Sequence, residues 1–288
     1  MVVAATGFFD GVHIGHQTVI RTLLDYAQLH NGQSLVISFW PHPRVVLQNG
    51  ARDLRLLNTV EEKKTLLQGL GVSQVEILPF DAAFAALTAA DYLQMMRERF
   101  GVDAIVLGYD NRFGSDGLDT AEIASLARDL GFEALVVPPV EVEGLKVSST
   151  QVRLALAEGK VELASKMLGR DYEVCGVVVG GKQMGRNLGF RTANLSLREP
   201  LKMVPKVGAY LSRAWLYGRQ FWAMSNVDSA GRIETHIFDF EEDIYGYDLR
   251  VSFVRKIRDE IRFTSWDQLK NQLQIDEISA KSLIFAEQ

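Results

Sequence analysis

Apolar segments of strand length alternate with amphipathic stretches over the first 168 residues of the chain. The apolar segments carry little polar alternation, and they are VVAAT, SLVISF, QVEIL, AIVLG and ALVVP. The stretch after the first segment places its apolar residues on one helical stripe, formed by Val19, Ile20, Leu23, Leu24 and Ala27. Apolar strands separated by helices are typical of a parallel sheet with both faces covered. The pattern therefore predicts an α/β domain with a doubly wound parallel sheet at residues 1–168.

The pattern changes after Gly169, where strand-like segments follow one another with only turns between them. These segments are YEVCGVVV, GAYLSRAWLYG, QFWAMSN, RIETHIFDF and DLRVSFVRKIR, and helical spacing returns between Ser265 and Phe285. In RVSFVRKI the alternation predicts two opposite faces, with Val251, Phe253 and Ile257 inward and Arg250, Ser252 and Arg255 outward. Such a series predicts a compact antiparallel β-barrel with a C-terminal helix at residues 169–288.

Two of the predicted helices carry sequence signals for their first residue. Asp119 is followed three positions later by Glu122, and Thr88 is followed three positions later by Asp91. In such a pair the first side chain accepts a hydrogen bond from a backbone N–H of the first turn, and the acidic side chain reaches back. Helices are therefore predicted to begin directly after Thr88 and Asp119.

Composition and charge narrow the classes of partner. The chain has 288 residues, 47% of them apolar, and a net charge of −5. Because there is no excess of basic residues, binding to the phosphates of duplex nucleic acid is not expected. No apolar run reaches the ~20 residues of a membrane span, and the start MVVAATGFF lacks the charged region of a signal peptide. Cys175 is the single cysteine, which excludes a disulfide within the chain and favours a cytoplasmic location.

Two histidines stand beside glycines and an aspartate in GFFDGVHIGH, which begins at Gly7 between the first predicted strand and its helix. Ligands of open α/β sheets bind at the carboxyl ends of the strands, where this segment is predicted to lie. Gly7, Gly11 and Gly15 permit tight turns, and the N-terminus of the following helix attracts phosphate. His13 and His16, about one helical turn apart, are thus predicted to bind the same anion. The alternative is a glycine-rich turn whose histidines are surface residues.

A second candidate phosphate site is VSSTQVR, which follows the last strand-like segment of the α/β half and opens a helix. Ser148, Ser149 and Thr150 have hydroxyl groups of the kind that commonly cap a helix, and capping is the alternative to a ligand role. Together with the helix N-terminus and the guanidinium of Arg153, these hydroxyls would bind a phosphate group. By strand order the second site is predicted to face the first.

These two motifs resemble those of the nucleotidyltransferase superfamily that uses His-x-Gly-His. Four further segments resemble, in the same order, the bacterial bifunctional riboflavin kinase and FMN adenylyltransferase family, also called FAD synthetases: SFWPHP, GYDNRFG, LAEGKVELASKMLGRDYEVCGVVV and GRNLGFRTANL. The resemblance runs from Val2 to about residue 285. It implies that the α/β half transfers AMP from ATP to FMN, which yields FAD and pyrophosphate, and that the barrel phosphorylates riboflavin to FMN. Riboflavin, FMN and ATP are therefore the expected substrates, and Mg²⁺ is the expected metal.

For adenylyl transfer, the resemblance assigns the two histidines and Arg153 to the ATP phosphates, with the three hydroxyl residues in support. The FMN phosphate is already an anionic nucleophile, so catalysis requires alignment and charge neutralisation more than proton transfer. The resemblance also implies further residues around phosphate, flavin and nucleotide, with Asp10 at the phosphate or magnesium end: Gly7, Phe9, Asp10, Gly15, Pro41, His42, Pro43, Asp110 and Asn111. For the Pro-His-Pro segment, a rigid strand-to-helix loop is the alternative.

For the kinase reaction, the resemblance assigns Glu234 as general base, because the neutral ribityl hydroxyl of riboflavin must lose its proton. An exposed charge on an alternating strand is the alternative role of Glu234. Thr192 and Asn194 match the family's ligands of Mg²⁺ and nucleotide, and oxygen donors suit this metal. Three glycines match a flexible loop over the nucleotide, with an ordinary glycine-rich hairpin as the alternative: Gly181, Gly185 and Gly189.

The sequence departs from the family pattern in three places. A phenylalanine is common where Asn111 stands, Arg191 replaces a usual proline, and a family segment before Glu234 is missing. Proline would fix φ and prearrange the loop. Three alternatives to the bifunctional enzyme stay open: an FMN adenylyltransferase with a degenerate flavin-binding or oligomerisation barrel, a non-catalytic flavin-binding or regulatory protein, and a transferase for another phosphate-bearing acceptor, such as nicotinamide mononucleotide or phosphopantetheine. The oligomeric state is not readable from the sequence.

Overall fold

A computed structural model describes residues 1–47, 54–181 and 189–286. The chain forms two compact units, Met1–Ser149 and Thr150–Gln288. The predicted fold class is confirmed, because the first unit contains a parallel sheet with helices and the second contains an antiparallel barrel and a C-terminal helix. The predicted domain boundary between residues 168 and 169 stays a prediction.

The first unit is built on a five-stranded parallel sheet with the order β3-β2-β1-β4-β5. Its strands are β1 Val2–Thr6, β2 Gln33–Trp40, β3 Gln74–Pro79, β4 Val102–Gly108 and β5 Glu133–Val137, and the short hairpin β6 Glu141–Val142 and β7 Leu145–Lys146 follows. Its helices are α1 Ile14–Leu29, α2 Pro43–Leu47, α3 Val60–Gly69, α4 Ala82–Ala85, α5 Ala89–Phe100 and α6 Thr120–Asp129. The strand order reverses between β1 and β4, and ligands of such sheets bind at the carboxyl ends of the strands at this point.

Both faces of the sheet are buried under helices, which explains the apolar strands. The predicted stripe of α1 is confirmed: Val19, Ile20, Leu23 and Ala27 are buried, and Leu24 packs half-buried against the same core. On the other face, helices α5 and α6 pack against the sheet through a set of buried side chains that includes Tyr92, Leu93, Met96, Ile123 and Ala127. A strand covered on both sides has no position for a solvated side chain, so polar alternation is absent.

Both predicted helix starts are confirmed. Thr88 and Asp91 form a capping box at the start of α5, and Asp119 and Glu122 form another at the start of α6. A third capping box, formed by Thr59 with Glu62, starts α3. This pair has the same spacing as the two predicted ones, but its helix start was not predicted from the sequence.

The second unit is a closed barrel with the strand order β10-β11-β12-β9-β8-β13, and its neighbouring strands are antiparallel. The strands are β8 Tyr172–Val179, β9 Ala193–Leu197, β10 Gly208–Leu216, β11 Arg219–Val227, β12 Ile233–Ile237 and β13 Asp248–Arg258. Two helices precede the barrel, α7 Ser149–Glu158 and α8 Val161–Leu168, and the helix α9 Trp266–Ala286 follows it. Helix α8 packs against β8 and β13, and α9 packs against β10, β11 and β13.

The predicted alternation of β13 is confirmed at Val251 and Phe253 and is wrong at Ser252 and Ile257. Val251 and Phe253 are buried as predicted, but Ser252 is also buried and donates to Glu173 Oε2 at 3.3 Å. Ile257 packs against the apolar cluster between the barrel and α9, together with Val254. Two register shifts between β10 and β13, each of which gives β13 one extra residue, interrupt the alternation between Phe253 and Arg258 and thus affect Ile257.

Candidate active sites

The GFFDGVHIGH segment joins β1 to α1 at the carboxyl edge of the parallel sheet, and its backbone occupies sparsely populated conformations. Phe9 has φ 51°, Gly11 has φ 83° and Val12 has φ 40°. A positive φ is unfavourable for a β-branched residue such as valine. Backbone of this kind persists only where surrounding groups hold it in place.

Side chains from three elements hold this loop by its carbonyl groups. The hydrogen bonds are Ser38 Oγ to the Phe8 carbonyl at 3.1 Å, Ser149 Oγ to the Asp10 carbonyl at 2.8 Å and Gln17 Nε2 to the Val12 carbonyl at 2.9 Å. The donors belong to β2, to the first residue of α7 and to α1. Ser149, predicted as a phosphate ligand, therefore makes a described contact with the loop that carries the histidines.

The predicted histidine pair lies at the start of α1, with its two rings stacked. The ring centroids of His13 and His16 are 3.5 Å apart, and the planes differ by 16°. His13 Nδ1 accepts a hydrogen bond from the backbone N–H of His16 at 3.3 Å, so His13 also caps the helix. A Cβ atom at Gly15 would lie 3.2 Å from the His13 ring, so glycine keeps this space clear. The ring of Phe9 meets His16 edge-on, with centroids 5.1 Å apart.

His16 is held in its neutral form. Burial lowers the pKa of His16 well below its usual value, and the nearby charges of His13 and Lys63 lower it further. Among the described residues, the buried Nδ1 atom of His16 has no hydrogen-bond partner. A buried polar atom without a partner costs free energy, which a bound ligand could recover by hydrogen bonding. The alternative of two surface histidines does not fit this geometry.

Asp10 is buried, and its carboxylate anchors the backbone that leads into α3. Oδ1 accepts hydrogen bonds from the N–H groups of Leu57 at 3.0 Å and Asn58 at 3.1 Å. Backbone N–H groups that bind a carboxylate also stabilise its charge. The described contacts of Asp10 thus organise the loop, and its place at the phosphate or magnesium end stays a prediction.

Lys63 lies beside this loop and was not predicted as a site residue from the sequence. Its side chain is buried, with Nζ 3.1 Å from Ser38 Oγ and 3.6 Å from the centre of the Phe8 ring. Burial lowers the pKa of Lys63 from 10.5 to about 8, although the charge of Asp10 opposes this change. The available signal was helical spacing, because Lys63 precedes the buried Leu67 by four positions on the apolar face of α3.

The Pro-His-Pro segment joins β2 to α2, which begins at Pro43. Pro41, His42 and Pro43 are all half-buried. The ring of His42 packs against Phe8 with centroids 4.1 Å apart, and His42 Nδ1 accepts the backbone N–H of Arg44 at 3.0 Å. These contacts fit the strand-to-helix loop, and a ligand role stays a prediction.

Asn111 connects the carboxyl ends of β1 and β4 at the point where the strand order reverses. Its Oδ1 accepts the N–H of Gly108 at 2.9 Å, and its Nδ2 donates to the carbonyl of Thr6 at 2.8 Å. Asp110 is exposed beside it. The described role of Asn111 is therefore to hold two strands at the ligand-binding edge, and its predicted role in binding flavin or nucleotide stays a prediction.

The remaining predicted residues of this site lie at the beginning of α7. Ser148 is half-buried, Thr150 is exposed and Arg153 is half-buried one turn into the helix. Thr150 and Arg153 belong to the second compact unit, whereas the histidine pair belongs to the first. The convergence of Arg153 with the histidines on one triphosphate stays a prediction.

The barrel brings together predicted kinase residues that are far apart in sequence. On β12, Glu234 is the register partner of Asn226 on β11 and of Asn194 on β9. Register partners of antiparallel strands point to the same face, so the three polar side chains lie side by side. They line a cavity of about 740 Å³ together with Thr192. Asn226 was not assigned a role from the sequence.

Helix α9 forms another wall of this cavity, with Leu269 and Leu273 in its lining. Its Asp276 is buried and accepts two hydrogen bonds from Arg258 Nε, at 2.9 Å to each oxygen, and one from Arg258 Nη2 at 2.7 Å. A bidentate pair of this kind fixes orientation as well as distance. It ties the end of β13 to the helix beside the cavity.

Of the three glycines predicted to form a loop over the nucleotide, Gly181 stands at a position that has no space for a side chain. A Cβ atom there would lie 2.1 Å from Asn194 Nδ2, closer than any real side-chain contact. Gly189 is exposed with φ 87°, a conformation that favours glycine. Gly185 lies outside the described residues. The role of the loop over a nucleotide stays a prediction.

Arg191, which stands where the resemblance led us to expect proline, is held by both its backbone and its side chain. Its carbonyl oxygen lies 2.7 Å from His236 Nδ1, and its guanidinium donates to the carbonyl of Glu241. With Thr192, Arg191 lines a second cavity of about 120 Å³. Contacts to β12 and to the segment that follows it thus fix the backbone beside Thr192 in the absence of proline.

A compact turn joins β11 to β12, at the position where the resemblance led us to expect a longer segment. Asp228 Oδ1 accepts the N–H groups of Ala230 and Arg232, each at 2.9 Å, and its Oδ2 accepts Arg232 Nε at 2.7 Å. Burial opposes the ionisation of Asp228, but the hydrogen bonds from Arg232 and Ala230 outweigh it and lower its pKa. The turn is therefore a closed unit that leaves Glu234 in register with its neighbours.

Among the described residues, no cluster of three or more histidine, cysteine, aspartate or glutamate side chains could hold a metal ion. None of the helices in the described ranges has the length and apolar character needed to cross a membrane.

Comparisons with known proteins give a consistent result for both units. The family model described as FAD synthetase matches residues 1–151, and the one described as riboflavin kinase matches residues 168–284. A bifunctional riboflavin kinase/FMN adenylyltransferase of Listeria monocytogenes is 33% identical over 96% of this chain and 90% of its own length. Its counterpart in Pseudomonas fluorescens is 33% identical over 98% of this chain and 92% of its own length.

A solved structure also matches nearly the whole chain. It is described as a macrolide-efflux protein from Streptococcus pneumoniae, has 34% sequence identity and a TM-score of 0.90, and the match covers 97% of this chain and 93% of that one. The agreement in fold extends over both units. By its sequence and its fold, this chain belongs to the bacterial bifunctional riboflavin kinase/FMN adenylyltransferase family.

Proposed function

We propose that this protein phosphorylates riboflavin to FMN and transfers AMP from ATP to FMN, so that one chain makes both flavin cofactors. The observation that carries the proposal is the pair of family matches, an FAD synthetase match at residues 1–151 and a riboflavin kinase match at residues 168–284. The geometry supports it, because a stacked histidine pair lies in the first unit and a row of aligned polar residues lies in the second. Riboflavin, FMN and ATP are the proposed substrates.

In adenylyl transfer, a phosphate oxygen of FMN attacks the α-phosphorus of ATP. The bond between the α-phosphorus and the bridging oxygen breaks, and pyrophosphate leaves with its negative charge. His13 and His16 at the start of α1 are placed to donate hydrogen bonds to the phosphates, and the helix N-terminus adds its positive dipole end. Arg153 is proposed as a further phosphate ligand from α7.

In the kinase reaction, the terminal ribityl hydroxyl of riboflavin attacks the γ-phosphorus of ATP, and ADP leaves. Glu234 accepts the proton of this hydroxyl as general base. Asn194 and Asn226 stand on either side of Glu234 in register, and either amide can orient the carboxylate or the substrate. The cavity of about 740 Å³ that these residues line has the volume of a small-molecule site.

Magnesium is proposed as the metal that neutralises the ATP phosphates. The chemistry of the donors fits this ion, since Thr192 and Asn194 offer neutral oxygen atoms at the same cavity. Mg²⁺ is usually held by few protein groups together with substrate phosphates and water, so a site without a carboxylate cluster is adequate.

The test is product analysis of the purified full-length protein with MgATP and either riboflavin or FMN. We expect FMN and ADP from riboflavin, and FAD and pyrophosphate from FMN. Nicotinamide mononucleotide and phosphopantetheine serve as competing acceptors and are expected to give no adenylylated product. Absence of FAD with FMN as acceptor, or preference for another acceptor, would overturn the proposal for the first unit.

A second candidate is an FMN adenylyltransferase whose barrel binds flavin without phosphorylating it. Arg191 and the short turn between β11 and β12 favour this candidate, because both differ from the family pattern beside predicted kinase residues. Riboflavin with MgATP separates the two candidates. FMN formation no greater than that of the Glu234→Gln variant would leave only the second.

A further inference from the structure

The buried ammonium group of Lys63 calls for a functional explanation. Only 1% of this residue is exposed, and its described contacts are a hydroxyl and an aromatic ring, those of Ser38 and Phe8. A lysine so deeply buried makes the folded chain less stable than an apolar side chain of similar size would. Strongly perturbed ionisable groups of this kind cluster at functional sites.

The contacts of Lys63 lead to the histidine pair through three consecutive residues. Phe8 lies under the ammonium of Lys63, and its carbonyl is held by Ser38, which also accepts from Lys63. The next residue, Phe9, has a left-handed backbone and places its ring edge against His16. Asp10 then anchors the other end of the turn through the N–H groups that its carboxylate accepts. The contacts of Lys63 thus reach, through Phe8 and the adjacent residue Phe9, the ring of His16.

Electrostatics gives a second connection that does not depend on these contacts. The charged groups acting on His16 are His13 and Lys63, and the acidic group acting on Lys63 is Asp10. Because the charge of Lys63 contributes to the lowered pKa of His16, its removal at unchanged burial is expected to raise that pKa. A neutral imidazole can accept as well as donate a hydrogen bond, whereas an imidazolium can only donate.

We propose that Lys63 is a positioning residue for adenylyl transfer: its buried ammonium fixes the Phe8–Asp10 turn and, through Phe9, the imidazole of His16 that meets the ATP phosphates. This inference rests on the proposed function of the first unit. Lys63 acts through the turn and through its charge, so it need not touch the nucleotide.

The experiment compares Lys63→Met with Lys64→Met in the full-length protein. Lys64 is the adjacent residue on α3 and is exposed, so it controls for the loss of one lysine. We expect Lys63→Met to lower kcat for FAD formation at least tenfold and to leave FMN formation from riboflavin unchanged, while Lys64→Met changes neither. A wild-type kcat for FAD formation in folded Lys63→Met would overturn the proposal.

The charge of Lys63 is separated from its packing by the titration of His16, followed by NMR of the histidine ring protons in Lys63→Met and in the charge-keeping Lys63→Arg. The midpoint of His16 is expected to move to higher pH in Lys63→Met and to stay at the wild-type value in Lys64→Met. An unmoved midpoint in folded Lys63→Met contradicts the electrostatic connection. Lys63→Gln provides a second neutral variant if the methionine variant does not fold, and Lys63→Arg, which keeps the charge, is expected to retain the wild-type midpoint.

These measurements also separate failure of this inference from failure of the proposed function. If the wild-type protein makes no FAD, the proposed function of the first unit fails, and the His16 titration still tests whether Lys63 acts on the histidine. If the wild type makes FAD and Lys63→Met equals it, only the role of Lys63 fails.

Discussion

The two units form their candidate sites in opposite ways. In the first unit the site lies on a loop at the end of strands, and most of its chemistry comes from one continuous segment, residues 7–16. In the second unit the candidate residues lie on the strands themselves, with Asn194, Asn226 and Glu234 aligned across three neighbours. The first arrangement depends on how a loop is held, and the second depends on strand register.

This difference predicts different sensitivities to substitution. A loop with left-handed residues requires supporting contacts from elsewhere, which here come from Ser38, Ser149, Gln17 and Lys63. A site on a barrel face is held by the ladder of backbone hydrogen bonds and is disturbed mainly through its own side chains. Substitutions that affect one activity and spare the other therefore test whether the two sites are supported independently.

The largest effect is expected for Glu234→Gln. Loss of a general base typically lowers a rate by about 10²- to 10⁴-fold, so FMN formation from riboflavin should fall by that order while FAD formation from FMN persists. The rates of both reactions are measured in the same preparation. Glu158→Gln, a change at an exposed carboxylate of α7, serves as the control. An equal loss of both activities would show that the two sites are not separable in this way.

His16→Ala is expected to give the reverse pattern. Removal of one group that stabilises the transition-state charge should lower FAD formation at least tenfold, and up to about 10³-fold, with FMN formation unchanged. The matched control is His30→Ala, because His30 is an exposed histidine at the other end of α1. Full FAD activity in His16→Ala would remove the histidine pair from the mechanism.

Gly181→Ala tests the steric fit beside Asn194. The new Cβ atom would lie 2.1 Å from Asn194 Nδ2, so the amide must move away from its position next to Glu234. We expect FMN formation to fall by about 10- to 100-fold, as for loss of a group that orients a metal ligand. Gly180→Ala is the control, because a Cβ atom at Gly180 would meet nothing within 4 Å. Equal activities of the two variants would contradict the packing described.

Asn111→Ala is expected to weaken the edge of the parallel sheet. It removes two hydrogen bonds that join the ends of β1 and β4, each worth about 1 kcal/mol, so the free energy of unfolding should fall by about 2 kcal/mol. Denaturant unfolding followed by circular dichroism measures this change. Asp110→Ala, at the exposed neighbour, should leave it within about 0.5 kcal/mol of wild type.

An effect of similar size is expected for the pH dependence of stability. Burial lowers the pKa of Lys63 from 10.5 to about 8, so between these values the unfolded chain binds more protons than the folded one. The contribution of Lys63 to the free energy of unfolding should therefore rise with pH across this interval, by at most about 3 kcal/mol. Lys63→Met is expected to lack this increase. The free energy of unfolding of wild type and of Lys63→Met is measured at pH 7.5 and pH 9.5, and the change between the two pH values is compared.

The sequence alone predicted the architecture well, because the signals were local and repeated. Apolar strands alternating with helical stripes indicated the parallel sheet, and consecutive alternating segments indicated the barrel. Errors arose on β13, at Ile257, which lies among two register shifts, and at Ser252, which is buried through a polar contact with Glu173. A shift of this kind is set by packing against β10 and α9 and leaves no signal in the alternation itself.

For the first site, the motif residues could be identified from the sequence, since His13, His16 and their glycines are close in the chain. Tertiary structure decided what holds them, because Lys63, Ser38 and Asn111 reach the loop or the sheet edge only after β2, α3 and β4 are in place. Hydrophobic periodicity reports which side of an element is buried, and it does not report which polar groups meet inside.

For the second site, the resemblance named Glu234 and Asn194, but only the barrel's register made them neighbours and added Asn226. Strand pairing joins residues far apart in sequence, and the sequence contains no local record of which residue opposes which. Local patterns thus determined the elements and their faces, and the long-range pairing of backbone hydrogen bonds decided which side chains form a site.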